Sequence, residues 1–144
     1  MPAELRAKID GKVGIHSARG GYAPDGQYGD DDADRSMQIR PNDSAYATQL
    51  HPLIRIHAET GAETLYSTIG YIIGIDGMAD DEARLLLGEM YAWQTRDEFQ
   101  YQHRWEPNML VMWDNRCVLH RATGGYDGYD RLLHRTTIGY RAIA

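Results

Sequence analysis

Only one stretch of this sequence, Asp80 to Thr95, carries the periodicity of a substantial helix. Asp80, Asp81 and Glu82 crowd its start, where carboxylates meet the positive end of the helix dipole. Leu86, Met90 and Trp93 recur at helical spacing, as do Leu87 and Tyr91, so the pattern predicts a helix packed on a core. The last third of the chain reads as strand and turn. Phe99, Tyr101, His103 and Trp105 alternate with Gln100, Gln102 and Arg104, the period-two pattern of a half-buried strand. Pro107-Asn108 predicts a turn, Met109 to Trp113 a strand, Gly124 to Gly128 a flexible connection, and Leu132 to Tyr140 a closing strand.

The first half adds less regular structure. Pro2 to Asp10 predicts a short helix with Leu5 and Ile9 on one face and Gly11 closing it. Gly20 to Asn42, rich in Gly, Asp and Pro, predicts a long loop inside a loop region spanning 16–50. Asp25, Asp30, Asp31, Asp32 and Asp34 lie in it without the spacing of a calcium loop, as a solvated acidic run would. Leu53 to Ile56 and Thr64 to Tyr66 read as strands joined through the turn Glu59-Thr60-Gly61, and Ile69 to Ile75 as a β-branched strand. The expected fold is mainly β with helices, a partial jelly roll, because the strands fall short of the eight that a complete one needs. The expected organisation is a single domain over 1–144: helix 1–11, the loop region, then strands from 51 onward with the helix 80–95.

Composition narrows the function classes. A length of 144 residues with 42% apolar and 25% charged side chains suits one globular domain with a real core. A net charge of -6 argues against nucleic-acid binding, which needs a basic surface. No apolar run is long enough to cross a membrane and the first residues hold no apolar signal core, so the expectation is a cytoplasmic protein. Cys117 is the sole cysteine, which excludes an intramolecular disulfide; a buried, inert thiol is expected there.

Two features bear on chemistry. On the closing strand Arg131, Leu133, Arg135 and Thr137 share one face, with Arg131 and Arg135 separated by roughly 13 Å along the strand. An inward face would need an anion as partner, since a buried charge must be paired; an outward one would be a plain surface. The pattern leaves that open. His120 lies in a mostly apolar segment, Cys117-Val118-Leu119-His120-Arg121-Ala122, where core residue and metal ligand are both consistent with the sequence. His16, His51, His57, His103 and His134 show no zinc-type spacing.

The run from Trp105 through Trp113-Asp114-Asn115-Arg116 to His120, followed by Arg131 and Leu132-Leu133-His134-Arg135-Thr136-Thr137-Ile138, resembles the C-terminal signature of the taurine dioxygenase family. That family includes the 2,4-dichlorophenoxyacetate dioxygenases and uses Fe(II) and 2-oxoglutarate. His51-Pro52-Leu53-Ile54-Arg55, Glu59-Thr60-Gly61 and Leu65-Tyr66 resemble the segment before the family's helix. The resemblance implies a double-stranded β-helix and the oxidative hydroxylation of a small, anionic substrate. It implies that His120 is the distal histidine of the 2-His-1-carboxylate iron site, that Arg131 holds 2-oxoglutarate, and that Arg135 meets an anionic group of substrate or cosubstrate. Trp113, Asp114 and Asn115 would support this end of the site.

One part of the pattern is missing. The family's other two ligands form a His-x-Asp pair, and this sequence contains none. His57-Ala58-Glu59 has a related form but falls in the turn segment. The expectation is a truncated domain, unable to hold iron or turn over alone. It would self-associate as a homodimer or higher oligomer by covering apolar side chains such as Leu110, Met112, Leu119 and Leu133. The alternative is a non-catalytic, self-associating half-barrel remnant.

Overall fold

The computed structural model describes residues 1–29, 39–125, 128–130 and 132–139. The core is built by two helices against two small antiparallel sheets. Helix α1 spans Ala3–Ile9 and α3 spans Asp80–Gln94; a short helical turn, α2, covers Arg19–Tyr22. Strands β1 (Val13–Ser17), β2 (Thr48–Pro52) and β5 (Ile72–Ile75) form a sheet in the order β2-β1-β5. Strands β3 (Ile54–Ile56) and β4 (Glu63–Leu65) form a hairpin, with Ile54 opposite Leu65 and Ile56 opposite Glu63.

The helices form where apolar spacing predicts them, because each has a face to bury. Leu5 and Ile9 of α1 meet Ala83, Leu86 and Met90 of α3, with Leu53, Ile72 and Ile75 completing the cluster. Ile9, Leu53 and Met90 are fully buried. A Lys8–Glu89 ion pair at 2.7 Å ties the same two helices on their exposed side. Gly11 ends α1 at a φ of 66°, a left-handed conformation that a side chain would strain.

The predicted loop region 16–50 begins inside β1 and ends inside β2. Both strands escape the periodicity test for physical reasons. On β1, Gly14 takes a core-facing position because a Cβ there would sit 2.8 Å from the Ile72 Cδ1 and 3.0 Å from the Leu53 Cδ2. The neighbouring core-facing residue is His16, only 9% exposed, so a polar residue stands where alternation expects an apolar one. On β2, an edge strand, four of five residues are exposed and no apolar face exists to detect. Of the acidic run, Asp25 accepts a hydrogen bond from the Tyr46 hydroxyl, and Asp30, Asp31, Asp32 and Asp34 lie outside the described residues.

Burial holds the His16 imidazole below its ordinary pKa, against a smaller upward pull from the Gly14 backbone and with the His51 charge adding to the depression. A group kept neutral in the fold lets the unfolded chain bind the extra proton, so stability falls as pH drops below about 6.5. Urea midpoints between about pH 8 and about pH 5 should show that decline, and His16→Phe should flatten it.

The strands expected at 99–105, 109–113 and 132–140 are not formed among the described residues. Phe99 closes a 3-10 turn, Asp97–Phe99, and residues 100–125 and 132–139 carry no ladder; Tyr140 lies outside the described residues. A strand exists only through a neighbour that takes its backbone hydrogen bonds, and these segments meet none among the described residues of this chain. Their apolar side chains are correspondingly uncovered. Leu110, Met112, Leu132 and Ile138 are 84%, 83%, 81% and 94% exposed, and Leu119 and Leu133 are about half exposed.

Candidate functional site

The segment Trp113 to His120 folds as a tight turn around one carboxylate. Asp114 receives the Arg116 backbone N–H at 2.8 Å on Oδ1, and the Arg116 guanidinium grips both oxygens, with Nη2 2.6 Å from Oδ2. The Asp114 main-chain oxygen accepts from the Cys117 and Val118 amides at 3.2 and 3.1 Å. Hydrogen bonds from Arg116 and then from His57 hold the Asp114 carboxyl far below the usual carboxylate range.

His57 reaches this turn from the β3–β4 hairpin. Its Nε2 lies 3.0 Å from Asp114 Oδ2, while its Nδ1 faces the Glu59 and Thr60 backbone N–H groups, both at 3.3 Å. Two donors at Nδ1 require a lone pair there, so the proton of a neutral ring sits on Nε2 and is donated to Asp114. Glu59 approaches the Arg116 guanidinium at 3.7 Å. The sequence pattern does not reveal that His57 and Arg116 meet on Asp114, because a histidine opening a hairpin turn gives no periodic signal. Asp114 and Arg116, two positions apart across a turn, were the available hint.

The turn also fixes what lies beside His120. Trp113 donates its indole N–H to Asn115 Oδ1 at 2.8 Å, and its ring packs against the His120 ring with centroids 5.0 Å apart. The arrangement therefore brings Trp113, Asp114, Asn115 and His120 into one local unit. His120 and Arg135 are exposed, and Arg131 lies outside the described residues. The Tyr71 ring stacks parallel to Tyr22 with centroids 6.3 Å apart, and interactions with Tyr22 and burial raise the Tyr71 phenol above its ordinary pKa while the Arg135 charge pulls it down. Cys117 is exposed rather than buried, because its segment has no covering layer among the described residues.

Metal chemistry has a weak footing on these residues. Among the described residues the one candidate group of three ligand atoms is His57, Asp114 and Cys117, within 4.8 Å of one another. It is already spent: His57 Nε2 carries a proton and both carboxylate oxygens are held by Arg116. His120 belongs to no such group among the described residues. The described residues do not by themselves bring three free iron ligands together.

Comparison with known proteins decides the lineage. A family model described as "Taurine catabolism dioxygenase TauD, TfdA family" matches residues 1–137. The chain belongs to this family. It is 37% identical over 138 residues to the alpha-ketoglutarate-dependent 2,4-dichlorophenoxyacetate dioxygenase of Cupriavidus pinatubonensis, covering 95% of this chain and 45% of that protein. It is 40% identical over 75 residues to the (S)-phenoxypropionate/alpha-ketoglutarate-dioxygenase of Sphingobium herbicidovorans, covering 51% and 25%. The crystal structure of a taurine dioxygenase from Burkholderia xenovorans aligns at a TM-score of 0.61 and 29% identity, covering 81% of this chain and 33% of that one. The chain thus spans less than half the length of these family members. Among the described residues no helix is long and apolar enough to cross a membrane.

Proposed function

We propose that this chain is the C-terminal portion of an Fe(II)- and 2-oxoglutarate-dependent dioxygenase that hydroxylates a small anionic substrate in the cytoplasm. The family match over residues 1–137 carries this reading, together with the order Trp113-Asp114-Asn115-Arg116, His120, Arg131, Arg135. His120 takes the distal ligand position, Arg131 the 2-oxoglutarate carboxylate and Arg135 an anionic group of substrate or cosubstrate. The double-stranded β-helix is completed by strands that this chain does not supply. Without a His-x-Asp pair the chain does not turn over alone.

A guanidinium is suited to the cosubstrate because its planar fork meets a carboxylate with two parallel hydrogen bonds. 2-Oxoglutarate should therefore bind weakly even without iron. Arg131→Ala should weaken that binding by at least about 1.5 kcal/mol, the lower end for a charged hydrogen bond. Isothermal titration of both proteins with 2-oxoglutarate checks it, and equal affinities would return Arg131 to a plain surface role.

A second reading, a non-catalytic half-barrel that associates with itself, is favoured by the exposure of Leu110, Met112, Leu132 and Ile138. The two readings part at the genomic sequence upstream of the codon for Met1. An in-frame His-x-Asp there supports the dioxygenase, and its absence supports the remnant.

A further inference from the structure

We infer that His57 is a positioning residue for His120: through Asp114 and Arg116 it fixes the turn from which Trp113 packs on the His120 ring. The contact spans 57 residues of sequence and joins two segments of different character. On one side stands a hairpin whose turn is closed by the His57 amide on the Ala62 oxygen and the Gly61 amide on the His57 oxygen, both at 2.8 Å. On the other stands a stretch with no strand pairing among the described residues, whose shape depends on the Asp114 turn. His57 is buried, with its side chain 7% exposed, whereas Asp114 is 33% exposed. The rigid, buried partner thus holds the looser one.

The bond has a defined direction. With Nδ1 occupied as an acceptor by two backbone N–H groups, the ring has one proton to give, and it gives it to Asp114. Asp114 passes the constraint on in two ways: its carboxylate clamps Arg116, and its carbonyl accepts from Cys117 and Val118 on the path to His120. Its predecessor Trp113 lies against the His120 ring. A bond that orients a ligand by way of its neighbours acts as outer-shell partners do in metal sites. The catalytic meaning rests on the proposed distal-ligand role of His120, whereas the geometric claim does not need iron.

The test is 1H–15N spectroscopy of the histidine rings and amide exchange on the full chain, for wild type, His57→Leu and His57→Gln. In wild type, His57 should appear as the neutral Nε2–H tautomer. In His57→Leu, amide exchange at Arg116, Cys117 and Val118 should quicken about tenfold, as expected for losing a hydrogen bond to a charged group. The His120 ring signals should move away from their Trp113-shielded positions. Gln places a donor near the Nε2 position, so His57→Gln should restore the His120 signals, a rescue that a merely structural role would not produce.

Unchanged His120 signals in His57→Leu, or no rescue by Gln, would overturn the proposal. If His57→Leu fails to fold, the wild-type spectrum decides, and an Nδ1–H tautomer at His57 overturns it. Loss of the dioxygenase reading would look different. There 2-oxoglutarate would fail to bind wild type while the His57-dependent shifts at His120 remained.

Discussion

Met90→Ala should lower the unfolding free energy by about 2–5 kcal/mol, the range for truncating a buried large side chain to alanine. Met90 is fully buried at the centre of the α1–α3 contact, facing the cluster of Leu5, Ile9, Leu53 and Leu86. The loss combines the transfer energy of the removed atoms with the cavity they leave. Leu85, on the same helix and 77% exposed, is the control: Leu85→Ala should stay within about 0.5 kcal/mol. Urea denaturation of the three proteins measures both. A small effect at Met90 would mean that the core does not close over α3.

The second large effect concerns association. Leu110 and Met112 are two positions apart, 84% and 83% exposed, in a segment whose backbone is unpaired among the described residues. Apolar side chains of this size gain about 1.5–3 kcal/mol each on burial, and contiguous exposed patches of several hundred Å² are rare on stable monomers. A homodimer that buries them is therefore expected, a twofold pairing being the commonest closed symmetry. Burial of Leu110 and Met112 makes Leu110→Asp with Met112→Asp weaken the dimer at least about tenfold, since about 1.4 kcal/mol suffices for that. Sedimentation equilibrium over a wide dilution series measures it. A compact monomer of 16.3 kDa at every concentration would show that these side chains need no partner.

How much of this was legible in the sequence depends on what each element needs from the rest of the molecule. Helix α3 was readable from Leu86, Met90 and the acidic start because its periodicity is local. The β3–β4 hairpin was readable because its apolar residues flank a Glu-Thr-Gly turn. β1 and β2 were not, since Gly14 and His16 replace apolar residues at core-facing positions and β2 lies on an edge. The C-terminal alternation, Phe99 to Trp105, gave strand periodicity without strand structure. Periodicity records which faces a segment can bury, and a ladder additionally needs a neighbour.

The candidate site divides in the same way. The family resemblance points to Trp113, Asp114, Asn115 and His120, and they form one local unit because they are close in sequence. His57 lies by sequence in an ordinary turn, yet it reaches Asp114 across 57 residues. No local pattern encodes a contact of that span. The sequence puts Arg135 on a strand face, and the action of its charge on Tyr71 of the Tyr22–Tyr71 pair emerges only from the fold.

On the proposed function, this chain carries one side of an iron centre and does not complete it alone. Anaerobic calorimetric titration of the purified chain with Fe(II) tests that most directly. One histidine without its His-x-Asp partners is a weak ligand set, because affinity comes from several donors held together. The predicted result is no stoichiometric binding, with wild type and His120→Ala giving the same trace. Stoichiometric binding of micromolar or tighter affinity, abolished in His120→Ala, would contradict it.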